Sequence, residues 1–301
     1  MFFIGGALIV ICTFYISSYI KLIRKYNNNN FNTIKKTPNI GKIEKVVIKD
    51  KKIKEFKKKL LNIKYFNYSF FYHNVRTLKI DRHESLSKYK VFIANYDPIK
   101  NVINITDEKS FPHELNHMSS SYYDGDDYSG LSQNSFGTGL NEGYTELLTE
   151  RYFKSGESYP VEFKIASNLE QIVGREKMEQ YYYTANLFEL IEELKQYDTH
   201  ENIMKFIGYI DIVTSLIDNY FKSRMFNAIL KKSMKKINLY LLKWYTIKQK
   251  RLMENKNISL EQCYSNIYKY SKRLYNLKNM ESTKYKVLTK KIIDKKIKEY
   301  L

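Results

Sequence analysis

The sequence predicts an α+β protein in which a small sheet precedes a histidine-bearing helix and helices follow to the end of the chain. Short runs rich in aromatic and β-branched residues are typical of strands. Four such runs come before the histidines: Tyr65–Tyr72, Val75–Ile80, Tyr89–Tyr96 and Val102–Thr106. After Phe153 the apolar residues recur at helical spacing instead, which predicts a largely helical second part.

The same patterns place further elements. Lys45–Ile48 indicates a short strand, and Asp50–Leu61 indicates a helix with one apolar stripe and lysines on the opposite face. In the second part we predict helices over Tyr183–Leu194 and Met225–Arg251. Residues Ser259–Gln262 match a capping box, in which the first and last side chains bond to each other's backbone and open a further helix.

The chain is strongly basic, with a formal net charge of +19 over 301 residues. Lysine is spread along almost the whole sequence and no nucleic-acid-binding motif accompanies it, so we expect no nucleic-acid partner. Hydrophobic residues make up 43% of the chain, which is enough for a sizeable core. The two cysteines, Cys12 and Cys263, cannot define a disulfide framework.

The first residues predict a membrane anchor. Residues 1–20 carry no charged side chain, and a helix of this length spans the roughly 30 Å hydrocarbon core of a bilayer. Basic residues follow this run rather than precede it. This order favours a single-pass helix rather than a cleaved signal peptide, and it also favours a cytoplasmic location for the rest of the chain. We therefore expect the membrane as a partner, with an anchor at 1–20 and a polar tether at 21–42. One domain at 43–301 would follow, with the sheet and active-site helices at 43–153 and a helical lobe at 154–301.

Two histidines one helical turn apart give the strongest chemical signal. His113, Glu114 and His117 match the H-E-x-x-H pattern of zinc hydrolases. Side chains at i and i+4 project from one face of a helix, so both imidazoles can bind a single ion. A second acidic block offers a third ligand. Its glutamates Glu142 and Glu146 also recur at i+4, where exposed like charges repel unless a cation lies nearby.

Together the two blocks resemble the gluzincins, the zinc metallopeptidases typified by thermolysin-like enzymes. In that family a glutamate from a second helix completes the H-E-x-x-H site within an N-E-x-x-[ST]-[DE] block, which residues 141–146 match position by position. The close resemblance runs from Val102 to Phe153. It implies a zincin-like core and a set of residues around Zn²⁺: His113, His117 and Glu142 as ligands, with Glu146 and Asn141 beside them.

The resemblance also implies a reaction on a peptide or protein substrate. Glu114 would be the general base that takes a proton from water. The strand Ile103–Asn104–Ile105 would lie at a sheet edge and pair with an extended substrate. The group that stabilises the oxyanion stays open between a tyrosine and His200, which is the one histidine after the site.

The sequence thus predicts a membrane-anchored zinc metallopeptidase. The alternative is a zincin-fold protein without protease activity that acts as a membrane-tethered binding or scaffold module. The presence of both histidines and all three glutamates favours the enzyme, because a protein without catalysis has no chemical need for the full set. A third interpretation, a basic protein that binds anionic lipid or nucleic acid, rests on charge alone.

Overall fold

The computed structural model describes residues 34–61, 63–83, 94–156, 158–218, 224–275 and 289–301. Over these residues the fold is mixed α+β, mostly helical with small sheets, as the sequence predicts. The chain divides into two units, 1–35 and 36–301, and every described element belongs to the second. The predicted anchor at 1–20 lies outside the described residues. No described helix is both long and apolar enough to cross a bilayer.

Two short helices open the described part, α1 (Lys51–Leu60) and α2 (Tyr68–Thr77). α1 confirms the predicted helix, but α2 lies largely where Tyr65–Tyr72 was predicted as a strand, and Lys45–Ile48 forms no strand. The side chain of Asn67 accepts hydrogen bonds from the first backbone N–H groups of α2. This cap begins a helix despite the strand preference of the aromatic residues that follow.

The first sheet has three strands, β1 (Lys79–Arg82), β2 (Ala94–Asp97) and β3 (Val102–Ile105), with β3 in the middle. β3 pairs in parallel with β1 and antiparallel with β2. The predicted edge strand Ile103–Asn104–Ile105 is therefore central, and the prediction of its place was wrong. Both sides of its backbone are already paired, so no substrate strand can add to it. Among the described strands of this sheet, β1 and β2 lie at the two edges.

Two other predicted strands are confirmed only in part. The strand predicted at Val75–Ile80 begins at Lys79, because the preceding residues complete α2. The strand predicted at Tyr89–Tyr96 overlaps β2, and its residues 89–93 lie outside the described part of the chain.

The histidines lie on α3 (Phe111–Ser119) and the second acidic block lies on α4 (Thr138–Phe153). A second sheet connects the two helices through three short antiparallel strands: β4 (Ser121–Tyr123), β5 (Asp127–Ser129) and β6 (Ser132–Gln133). Pro112 lies in the first turn of α3, where its missing N–H has no helical partner to lose. The helix can therefore begin directly before His113.

Seven helices follow in the described residues: α5 (Pro160–Val173), α6 (Arg175–Tyr183), α7 (Leu187–Leu194), α8 (His200–Asp218), α9 (Arg224–Glu254), α10 (Leu260–Tyr275) and α11 (Lys290–Tyr300). α9 confirms the long predicted helix. The capping box before α10 is also confirmed, with reciprocal bonds of 2.9 and 3.1 Å between Ser259 and Gln262. The helix predicted over Tyr183–Leu194 is confirmed only over Leu187–Leu194. A left-handed Ala185 (φ 51°) and an Asn186 cap separate α6 from α7.

α4 is held by very close helix packing. A Cβ added at Gly143 would lie 2.3 Å from the backbone oxygen of Glu162 on α5. One added at Gly139 would lie 2.4 Å from Oγ1 of Thr214 on α8. Larger residues at these two positions would push the helices apart, so the glycines let α5 and α8 fix the position of the helix that carries Glu142.

Candidate metal centre

Three side chains from two helices converge on one point. Nε2 of His113 lies 3.0 Å from Nε2 of His117, and Oε2 of Glu142 lies 3.2 and 3.3 Å from these two nitrogens. Both histidines are buried. The structure therefore brings together the three side chains that the sequence predicts as ligands, in a group that could hold a metal ion.

The electrostatics of this cluster require a positive charge. Burial lowers the pKa of His113, but hydrogen bonding to Glu142 and Glu146 outweighs burial and raises that pKa to about 10. Burial raises the pKa of the Glu142 carboxyl, but His117 and His113 outweigh it and hold that pKa well below its usual range. A buried carboxylate needs such a partner, and either a proton or a metal ion can supply the charge.

Glu146 orients the ring of His113. Its Oε2 lies 3.0 Å from Nδ1 of that histidine, while its Oε1 accepts a 2.7 Å bond from the backbone N–H of Ser158. A carboxylate at Nδ1 keeps the proton on that nitrogen and turns the Nε2 lone pair toward the cluster. Glu146 therefore lies where the sequence predicts it.

His117 is supported by uncharged groups. Nδ2 of Asn141 and Oγ1 of Thr145 lie 3.3 and 3.4 Å from its Nδ1. Oδ1 of Asn141 accepts a bond from the N–H of Leu131, so the hydroxyl of Thr145 is the acceptor for a proton on Nδ1. Oγ1 of Thr145 also lies 2.7 Å from the hydroxyl of Tyr182. Sequence reasoning missed Tyr182, because it comes from α6 and no local pattern marks it.

Asp211 fixes the beginning of α4. That helix starts after Gly137 without a side-chain cap of its own. The buried carboxylate of Asp211 on α8 accepts 2.9 Å hydrogen bonds from the N–H groups of both Gly137 and Gly139. A carboxylate at a helix N-terminus satisfies unpaired donors and the helix dipole together. Glu142 follows one turn later, so this long-range cap helps to position a ligand.

Glu114 lies beside the three ligands without joining them. Its side chain is buried and accepts a hydrogen bond from the backbone N–H of Tyr96 on β2. Burial raises the pKa of the Glu114 carboxyl above its usual range, although the two histidines oppose that rise. A carboxylate with a raised pKa is suited to accept a proton near neutral pH.

A cavity of about 270 Å³ opens against this cluster. Glu114, His117 and Glu142 line one part of it, and β2 and the segment from β5 to the start of α4 line the remainder. Tyr159 also lines the cavity, and its ring stacks on His113 with centroids 5.6 Å apart.

The structure does not bring His200 to this cavity. That histidine is the first residue of α8 and is not among the residues that line the cavity. Three helices, α5, α6 and α7, lie between Tyr159 and His200 in the chain, and a local sequence pattern does not show how they pack. Tyr159 lines the cavity, whereas His200 does not. No motif distinguishes Tyr159 among the 28 tyrosines of the chain.

The donor set fits zinc. Ligand atoms at about 2.0–2.1 Å from a tetrahedral zinc ion lie roughly 3.3 Å from one another. The three pairs of donor atoms here are 3.0 to 3.3 Å apart. Two imidazoles and one carboxylate are also the ligands of catalytic sites that keep a fourth position open. His113, His117 and Glu142 would hold the ion.

No family model, curated protein or solved structure matches this chain.

Replacing Glu142 by Gln tests the ligand set. We expect the wild-type protein to bind one zinc ion per chain, and Glu142→Gln to weaken binding by more than the ~10–100-fold that the loss of an outer partner costs. Titration calorimetry of the full-length chain measures both affinities. Glu150→Gln, two turns further along α4, is the matched control and should bind zinc like the wild type. Equal affinity of all three proteins would contradict the assignment.

Proposed function

We propose that this chain is a zinc-dependent peptidase of gluzincin type, anchored to a membrane by residues 1–20. The observation that carries the proposal is the placement of a buried carboxylate, Glu114, beside a His–His–Glu ligand set at the wall of one cavity. Zinc bound there would act as a Lewis acid and lower the pKa of a bound water. The other contributions come from side chains and backbone of the chain itself.

Glu114 is the general base of the proposed reaction. It takes a proton from the attacking water and passes it to the amine that leaves when the peptide bond breaks. The backbone N–H of Tyr96 holds its carboxylate in place. A proton acceptor that is fixed before the substrate arrives needs little reorganisation during the reaction.

β2 is the strand on which an extended substrate aligns. Among the described strands it is paired on one side only, with β3. Its residues Ala94, Asn95 and Tyr96 line the cavity next to Glu114. A peptide that adds to this edge by backbone hydrogen bonds is held next to the base and the metal ligands.

Tyr159 is the proton donor that stabilises the oxyanion. Tyr159 lines the same cavity as Glu114 and His117. Tyr159 stacks on His113 and therefore lies next to a ligand. This assignment replaces His200, which the sequence left as one of two choices.

Glu114→Gln tests the proposed reaction. We expect cleavage of a mixed peptide library by the zinc-loaded full-length chain to fall by about 10²–10⁴-fold, with zinc content unchanged, because only the base is removed. Mass spectrometry of the products measures the rate, and Glu150→Gln should cleave like the wild type. Stoichiometric zinc without cleavage that depends on Glu114 would contradict the proposal and favour a binding or scaffold protein.

Tyr159→Phe tests the oxyanion donor. Phenylalanine keeps the ring on His113 but removes the hydroxyl, so we expect kcat to fall about 10²–10³-fold while KM and zinc content stay nearly constant. Tyr123→Phe, at an exposed tyrosine of β4, is the control for loss of a hydroxyl. A kcat of Tyr159→Phe within twofold of the wild-type value would remove Tyr159 from the mechanism.

A further inference from the structure

The cavity contains one carboxylate that the proposed reaction does not use. Asp127 begins β5 and lines the same cavity as Glu114 and His117. Its Oδ1 is inaccessible to solvent and has no hydrogen-bond partner among the described residues. A buried carboxylate oxygen without a partner is costly, so the fold leaves part of the hydrogen-bonding capacity of this carboxylate unused.

The backbone holds Asp127 in place without using its carboxylate. Its N–H donates a 2.9 Å bond to Oδ1 of Asn134, and its carbonyl accepts a 2.9 Å bond from the N–H of Asn134. These two bonds tie the start of β5 to the turn after β6. The side chain is therefore presented to the cavity by a fixed backbone.

The described residues that line the cavity offer no Lys or Arg to balance this carboxylate. The chain has 51 Lys and Arg residues, yet none of the described residues that line the cavity is Lys or Arg. Burial and the nearby Asp97 both raise the pKa of the Asp127 carboxyl. Glu114 lies in the same lining, so the cavity presents two carboxylates besides the one that the proposed metal ion would balance.

The surroundings of Asp127 fit an organic cation better than a second metal ion. Asp127 is not part of a group of metal-ligating side chains in the described residues. Ser129 and Ser132 line the same cavity, and the Ser129 hydroxyl lies 2.7 Å from that of Ser121. One carboxylate together with hydroxyl oxygens is suited to the several N–H donors of an ammonium or guanidinium group.

We propose that Asp127 makes this cavity selective for peptides that carry a cationic group near the cleaved bond, either a Lys or Arg side chain or the free N-terminal amine. This inference rests on the proposed function, because it assigns the substrate class of the same site. Asp127 is a specificity residue that contacts the substrate, whereas Glu114 and Tyr159 act at the reacting atoms.

The test measures binding without cleavage. The full-length zinc-loaded Glu114→Gln variant is titrated with fluorescent peptides that differ only in the position of one lysine, or that have norleucine throughout. Each peptide is prepared with a free and with an acetylated N-terminus, which separates a side-chain cation from the terminal amine. We expect at least one cationic peptide to bind about tenfold or more tightly than its neutral partner, the size of a charge-assisted hydrogen bond.

Adding Asp127→Asn to the Glu114→Gln variant should abolish the preference for cationic peptides. Adding Asp124→Asn instead, on the neighbouring exposed turn, should leave that preference unchanged. Zinc content reports that each protein is folded, and Asp127→Ser serves as a second removal of the charge. Absence of a preference, its survival without the Asp127 carboxylate, or no measurable binding of any cationic peptide would overturn the inference. Cleavage by the wild type is a separate readout, so failure of the proposed function is distinguishable from failure of this selectivity.

Discussion

The close approach of two imidazoles and a carboxylate between α3 and α4 is the constraint on which the site depends. Three donor atoms that lie 3.0 to 3.3 Å apart in a buried position are stable only if a positive charge is shared among them. The raised pKa of His113 and the lowered pKa of Glu142 express this requirement. A cation relieves it completely, because all three ligands can then point their lone pairs at one centre.

The surrounding fold keeps this arrangement by several independent contacts. Glu146 holds His113, Thr145 holds His117, and Asp211 caps the helix that carries Glu142. Two glycines let α5 and α8 pack directly on the backbone of α4. These contacts come from three helices, α4, α5 and α8, so the three side chains are placed before any ion binds, as the proposed catalytic site requires.

Sequence reasoning succeeded where the relevant geometry is local. The i, i+4 spacing of His113 and His117 is a property of any α-helix, so the shared face followed without knowledge of the fold. It failed where the answer depends on distant residues. The order of strands in a sheet is set by long-range pairing, which made Ile103–Ile105 central rather than an edge strand. The strand preference of Tyr65–Tyr72 was overruled by one cap at Asn67, and Tyr159, Tyr182 and Asp211 reach the site through tertiary packing alone.

The coordination of bound zinc tests the central claim most directly. X-ray absorption at the zinc edge, measured on the full-length chain loaded with one equivalent of the metal, reports the type and distance of its ligands. The account predicts two imidazole nitrogens and oxygen ligands at about 2.0–2.1 Å, with the imidazole signal lost when His113 and His117 are both replaced by alanine. A shell of oxygen atoms alone, or sulfur at about 2.3 Å, would contradict it.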